Sequence, residues 1–459
     1  MRGSAVERGA EKLKRGVTAL LALGAAAALL APGCEGKFEG PYPCVAGYAS
    51  CYPQGANGCE TNITGDGANC GACAHACGLG ATCTKGTCGA VPAPFVKNED
   101  ATAIAVNGTN VVWMATMISG GPLTSPLHTL PLGGGATPIA IAPQTTSGQQ
   151  GVVPNATCSF ALDATDAYFW GIYPSTNPMG SNMASGPAKA DLKGARGSEL
   201  DATGGAPAIG GSCAGGMAVH GGSVYYLEPT PQGASGTLFQ LPVGGGTPKA
   251  LLQVPLPSNQ GGGGGSGTTP NAFITATDLF YLSSTNYPTT VQRVPLSGAP
   301  STSFAIETSG FNATLFTADA DNLYFAGTSC PCNNGSGSGT GQSSGGLPVG
   351  AVFKTPLAGG PQTQLATAGG QLWSIVVDAA SVYWSSDSGV WKVPIAGGDA
   401  VQVAGDLTDA MPVLCATGCG GPPPGNPGGT TPTPVSIAVD ATSLYVADPQ
   451  KSVILKVPK

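Results

Sequence analysis

The stretch VSIAVDATSLYVADPQKSVILKVPK, residues 435–459, sets the pattern of the chain. Short runs of β-branched and aromatic residues alternate with clusters of turn residues. This predicts strands at 436–439, 444–447 and 453–457. Asp440 opens the first turn, where its side chain can bond the backbone two residues on. The same unit recurs upstream as IAVNGTNVVWMA from Ile104, FALDATDAYFWG from Phe160, MAVHGGSVYYLE from Met217, FITATDLFYLSS from Phe273, FTADADNLYFAG from Phe316 and IVVDAASVYWSS from Ile375. The turn position falls at Asn107, Asp163, His220, Thr275, Asp319, Asp378 and Asp440, at intervals of 44 to 62 residues.

Repeats of this length, β throughout, predict an all-β fold: a seven-bladed β-propeller over 91–459. Each blade is expected to be a four-stranded antiparallel sheet. Strand a is the "IAVD" segment, b the "LYVAD" segment and c the "LKVP" segment. Strand d follows "LxGG", as at 400–404 and 364–368. A single blade cannot bury both faces, so the copies must form a closed set. The last copy stops after strand c. The apolar segment VPAPFV, 91–96, is expected to supply its missing outer strand, where Pro92 and Pro94 are tolerable on an edge.

Loop lengths divide the two faces. The a–b turns ("DATS", "NGTN", "HGGS", "DAAS") and most c–d turns are tight. The long insertions are b–c loops (116–126, 172–187, 228–236, 327–350) and d–a loops (143–157, 255–271, 405–434), all on the opposite face. Loops presented by a rigid scaffold commonly carry function, so this elaborated face is the expected binding surface.

Composition changes the picture in two ways. The chain has 73 Gly and 40 Pro, a share that can mark disorder, but here the excess sits between the periodic units. Charged residues are only 9% and the net charge is −7, which excludes the basic surface that a nucleic-acid partner requires.

Residues 1–33 read as an export signal. Arg2, Arg8, Lys12, Lys14 and Arg15 precede an apolar run at 17–30 that is too short for an ordinary membrane span. Leu30-Ala31-Pro32-Gly33-Cys34 resembles a bacterial lipobox, which would make Cys34 the acylated first residue of the mature chain. Ala31 and Pro32 depart from the usual pattern; plain secretion and an uncleaved anchor are the alternatives. A linker at 34–43 would lead into a Cys-rich module at 44–89, and membrane contact would come only through the lipid.

Cysteine usage agrees with export. Without Cys34, 14 of the 15 cysteines remain. Cys44, Cys51, Cys59, Cys70, Cys73, Cys77, Cys83 and Cys88 lie in the short module, and such density reads as a disulfide framework of open connectivity. Zinc is the rival, since Cys70-Gly-Ala-Cys73 has metal-ligand spacing and His75 is near. An oxidising compartment disfavours it, so no metal and no cofactor is expected. Cys158, Cys213, Cys330, Cys332, Cys415 and Cys419 fall on the elaborated face of the propeller and are expected to staple its loops. Cys158 with Cys213, or Cys415 with Cys419, are the readiest pairs; Cys330-Pro-Cys332 would be strained.

Two resemblances follow from these residues. GCETNITGDGANCGACAHACGLGATCTKGTC (58–88) is similar to the Cys-rich segments of predicted myxobacterial-type lipoproteins, which implies a cell-envelope location and no particular chemistry. "LYVAD" and "VYWSSD" look like the strand b signatures of NHL-type and YWTD-type propellers. Those families bind proteins, glycans or other ligands through one face, and a minority are enzymes.

Catalytic groups are scarce. The three histidines, His75, His128 and His220, are scattered by the repeat register, so no acid–base pair is expected. Asp163, Asp319, Asp378 and Asp440 read as turn formers. Asp387 and Asp448, at the ends of strand b, are candidates for Ca²⁺ without a supporting loop motif. Arg293, Lys354, Lys392 and Lys456 recur in strand c and read as stems covering blade surfaces. The Gly run 261–265 lacks the context of a phosphate loop. The expectation is a monomeric lipoprotein of the outer membrane or cell surface, or a secreted or periplasmic form. Its propeller would bind an unidentified protein or glycan without chemistry. The alternative is a lyase or hydrolase acting on an extracellular polymer, which two carboxylates, or His128 with an acidic partner, at the channel mouth would favour.

Overall fold

The computed structural model describes residues 44, 46–49, 51, 61–78, 81–89, 94–115, 127–141, 152–154, 160–174, 183–194, 197–201, 206–207, 216–229, 235–255, 272–284, 289–306, 312–329, 349–386, 388–405 and 435–459. They form strands and turns, with no helix among the described residues. The export signal, Cys34 and the linker lie outside them. So do Cys59, Asp387 and all six propeller cysteines.

Seven antiparallel sheets follow one another in chain order. Blade 1 comprises Ala101–Val106, Asn110–Ala115, Leu127–Pro131 and Ile139–Ile141 as strands a to d. Blades 3 to 6 repeat this order without crossover. In blade 7, Ser436–Val439, Ser443–Asp448 and Val453–Pro458 are joined by Pro94–Lys97 as strand d. Val453 stands opposite Lys97 and Ile454 opposite Val96, with a bulge before Leu455 meets Pro94. The segment before the first repeat therefore does close the ring, and Pro94 lies on the outer strand of its sheet, where proline is tolerated.

Blade 2 departs from expectation. Its b and c strands, Asp166–Pro174 and Met183–Asp191, continue through much of the expected 172–187 loop, with Ile172 opposite Ser185 and Tyr173 opposite Ala184. Its inner strand comes in two pieces, Val153–Pro154 and Phe160–Leu162, and its outer strand in two more, Ser198–Glu199 and Ala206–Pro207. Small residues allow the close approach: a Cβ on Gly171 would lie 2.4 Å from Val152 Cγ1.

The core is a set of seven apolar clusters, one at each blade–blade junction. Val96, Ala101, Ile104, Trp113, Tyr445 and Ile454 join blade 7 to blade 1. Phe280, Val291, Ala313, Leu323 and Phe325 join blade 4 to blade 5. Fully burying each such side chain stabilises by about 1.5–3 kcal/mol before the entropy of ordering it. The alternation of each strand thus feeds two junctions at once.

In the Cys-rich region the connectivity left open by the sequence is Cys51–Cys73, Cys70–Cys83 and Cys77–Cys88, and Cys44 is disulfide-bonded too. Cys70 and Cys73 thus belong to two different bridges, which removes their thiolates from metal ligation. The region packs on the outer strand of blade 6, Val401–Ala404. A Cβ on Gly405 would lie 2.7 Å from the Ala81 carbonyl oxygen, and one on Gly67 the same distance from Gln402 Oε1. One sheet edge is covered in this way.

Candidate functional site

The a–b turns are built by their first residue. In blades 2, 5, 6 and 7, Oδ1 of Asp163, Asp319, Asp378 and Asp440 accepts the backbone N–H groups two and three residues on. Oδ2 accepts the phenol O–H five residues on, from Tyr168, Tyr324, Tyr383 and Tyr445, at 2.7–3.1 Å. Asn107 makes the same turn in blade 1, and its Nδ2 donates to the Asp163 carbonyl of blade 2. Where the turn residue is not Asp, the tyrosine bond is absent. Asn107 is followed by Val112 and Thr275 by Phe280, while His220, exposed, begins a Gly221-Gly222 turn with both φ angles positive. The Asp-x-x-x-x-Tyr spacing was present in the sequence as the signal for this pairing.

Where the turns of blades 6, 7 and 1 converge they enclose a hollow of about 780 Å³. Its polar rim is Asn107, Asp378, Tyr383, Lys392, Asp440 and Lys459, and its apolar wall is formed by Val106, Val377 and Val439. It opens on the plain face, opposite the expected binding surface. The long loops of that other face lie largely outside the described residues.

Two carboxylates line this hollow; both accept turn hydrogen bonds, and Asp378 is also ion-paired. Asp378 Oδ2 receives Lys459 Nζ at 2.5 Å beside the Tyr383 hydroxyl. Burial would raise its pKa, but Lys459 and the Ala380 and Ser381 amides outweigh burial and hold it below the usual range. Asp440 is likewise lowered: burial works against it, and the Thr442 and Ser443 amides and Tyr445 prevail. Burial together with Asp378 pushes the Tyr383 phenol up to about 12. Lowered carboxylates and a raised phenol make poor proton carriers near neutral pH.

His128 does have an acidic partner, and neither of the two lines the hollow. Glu99 Oε2 accepts from Trp113 Nε1 at 3.2 Å and meets His128 Nδ1 at 2.9 Å. Burial raises the Glu99 pKa, and the bonds from His128 and Trp113 more than reverse it. The Glu99 amide donates to the Ser452 carbonyl at 3.1 Å, and Ser452 Oγ donates to Asp100 Oδ1. This group fastens the closing strand to blades 7 and 1, and nothing in the sequence pattern marked it.

The remaining candidates have structural places. His75 Nδ1 donates to the Cys70 carbonyl. Asp448 is fully buried, and its Oδ1 accepts the Gln450 and Lys451 amides of a turn. Arg293 bonds both oxygens of Asp278 at 2.8 and 3.2 Å. Lys354 and Lys456 each donate, at 2.6 Å, to a carbonyl of the next blade, that of Ile395 and that of Leu132. Lys456 also lies over the rings of Phe95 and Tyr445.

No protein-family model and no curated protein matches the chain. Among solved structures, YCF48 from Cyanidioschyzon merolae is similar at 12% identity and a TM-score of 0.47, covering 80% of this chain and 99% of that one. The β-propeller domain of the Trilobed protease from Pyrococcus furiosus, described as having an open velcro topology, is similar at 8% identity and a TM-score of 0.39, over 78% and 92%. A prolyl endopeptidase is similar at 11% identity and a TM-score of 0.40, but the chain spans only 42% of its length. Similarity at this level carries no argument about activity; what the strand order establishes is a seven-bladed β-propeller with a disulfide-bonded N-terminal region.

Proposed function

We propose that this chain is an exported cell-envelope protein, held by a lipid on Cys34, whose propeller binds a polar ligand without transforming it. The observation that carries the binding role is the hollow of about 780 Å³ at the turns of blades 6, 7 and 1, a volume within the range of small-molecule sites. Its rim offers donors and acceptors on tight turns of a closed ring, so little ordering entropy is lost when a ligand binds. Export is supported by the disulfides of the Cys-rich region, which persist in oxidising compartments. A hydrolase or lyase on this rim is disfavoured, because Asp378 and Asp440 are committed to turn bonds and lowered in pKa.

The test uses the mature chain from Cys34, screened for a rise in melting midpoint with neutral and acidic sugars, short peptides and divalent ions. A ligand that binds only the native state must raise the midpoint. Gly108 borders the hollow, and a Cβ there would meet nothing within 4 Å, so Gly108→Trp fills the site without disturbing the fold. A shift seen in the parent and lost in G108W supports the reading. A shift unaltered by G108W places binding elsewhere and overturns it. Turnover of the bound ligand would replace the binding role with an enzymatic one. Membrane partition of the full chain that survives Cys34→Ala removes the lipid anchor.

A further inference from the structure

The five cations at one strand c position are used in three ways: Lys189 and Arg293 turn onto carboxylates of their own blades, Asp166 and Asp278, Lys354 and Lys456 reach the next blade, and Lys392 at the hollow does neither. At the junction of blades 5 and 6, Lys354 of strand c donates to the Ile395 carbonyl, and at that of blades 7 and 1, Lys456 donates to the Leu132 carbonyl. Leu132, Ile395 and Lys459 hold equivalent places. Each follows the proline that ends strand c, and each donates its amide to a carbonyl in its own a–b turn: Thr109, Ala380 and Thr442 respectively. At the junction of blades 6 and 7 the equivalent pair is Lys392 and Lys459, and the tie is not made. Lys459 instead turns its ammonium onto Asp378 of blade 6. Lys392 lines the hollow and, among the described residues, its ammonium makes no hydrogen bond or ion pair.

The charges of the rim then divide simply. Asp378 and Lys459 cancel each other. Lys392 remains as a positive charge with no partner among the described residues. Asp440 remains as a negative charge: its oxygens accept from the Thr442 and Ser443 amides, the Thr442 hydroxyl and the Tyr445 phenol, but no cation lies within ion-pair distance among the described residues. A purely anionic ligand would gain Lys392 and be repelled by Asp440. A purely cationic one would meet the reverse. An uncharged one that covered Lys392 would desolvate it without compensation.

We infer that the hollow takes a small zwitterion, an amino acid or short peptide, whose carboxylate meets Lys392 and whose ammonium faces Asp440. This deepens the binding role proposed above and rests on it. The probes are alanyl-alanine, its N-acetyl form, which is only anionic, and its amide, which is only cationic, titrated calorimetrically into the mature chain. Free alanyl-alanine is expected to bind at least tenfold more tightly than either capped form. Lys392→Met is expected to lower that affinity at least tenfold with an unchanged melting midpoint. Asp440→Asn keeps the turn, as Asn107 does in blade 1, and is expected to erase the preference over the N-acetyl form. Equal binding of the three probes, no binding of alanyl-alanine, or an unchanged affinity in K392M overturns the inference. If another ligand binds and G108W blocks it, the hollow remains a binding site and only the zwitterion is wrong. If G108W blocks nothing that binds, both fall.

Discussion

Trp113 in blade 1 and Trp384 in blade 6 occupy one position of the repeat. Each is six residues past its turn residue, stands opposite an isoleucine of strand a, Ile104 or Ile375, and is almost fully buried. Their indole N–H groups fare differently. Trp113 donates to Glu99, while Trp384 Nε1 is buried with no partner among the described residues. The residue opposite on strand c is His128 in blade 1, which shares Glu99, and Trp391 in blade 6, which donates to Ser388 instead. The place before strand a that holds Glu99 holds Gly370 in blade 6, at a φ of +78°, where residues with side chains are strained. The difference lies in what each junction must hold. Blade 6 takes all four strands from one continuous stretch. Beside blade 1 the outer strand of blade 7 arrives from the other end of the propeller chain, and its first following carboxylate is spent on fixing it. An unmet buried donor costs about 1–3 kcal/mol, and only the junction that needs a fastening is relieved of it.

The comparison can be broken most severely at Glu99. Glu99→Leu strands the Trp113 donor and His128 together and is expected to cost about 2–3 kcal/mol in urea unfolding. A smaller effect separates the two tryptophans. Both lose packing on change to Phe, but W113F also removes a bond to a charged acceptor, so it should cost about 1–2 kcal/mol more than W384F; equal costs would mean the Glu99 bond adds nothing. The pH dependence of Glu99→Gln sharpens this. The folded-state pKa of Glu99 is depressed, so its contribution is present above the ordinary carboxyl range and is lost as pH falls through the folded value. The parent should exceed E99Q in stability at pH 7, and the gap should close below about pH 4. The smallest effect is expected at the tyrosines. Tyr383→Phe and Tyr445→Phe should each cost about 1 kcal/mol, because the Asp378 and Asp440 turns keep their amide bonds.

Much of the fold was legible in the sequence, and the reason is visible in blade 7. Its three strands fall within a residue or two of the expected 436–439, 444–447 and 453–457, because β-branched and aromatic residues fill them and turn residues separate them. The closing strand was legible as an apolar segment without a partner. The hairpin of blade 2 was not, since MASGPAKAD offers Ala, Gly and Ser where a periodic signal needs large side chains. Glu99 was invisible for a different reason: it lies outside every strand, and its partners come from strands b and c of another blade. The hollow escaped because each of its residues looked like a repeat feature. What sets it apart is that Lys459 turns onto Asp378 of the preceding blade and the Lys392 side chain pairs with neither blade, and that requires knowing which residue of one blade reaches the next.

The closing strand also fixes an order of events. Asp100, just beyond it, finds its hydroxyl partner Ser452 at a separation of 352 residues, and Val96 meets Ile454 in strand c of blade 7. The segment synthesised before any blade is therefore the last to be paired. Until the final strands emerge, six blades can stack while an open edge stands at each end of the stack. Contacts so distant along the chain form slowly, and exposed edges invite pairing with other chains in the interval. The ring should close only once Val453–Pro458 has been made, and a chain halted anywhere before Val453 should collect as an open, association-prone arc rather than as a smaller ring.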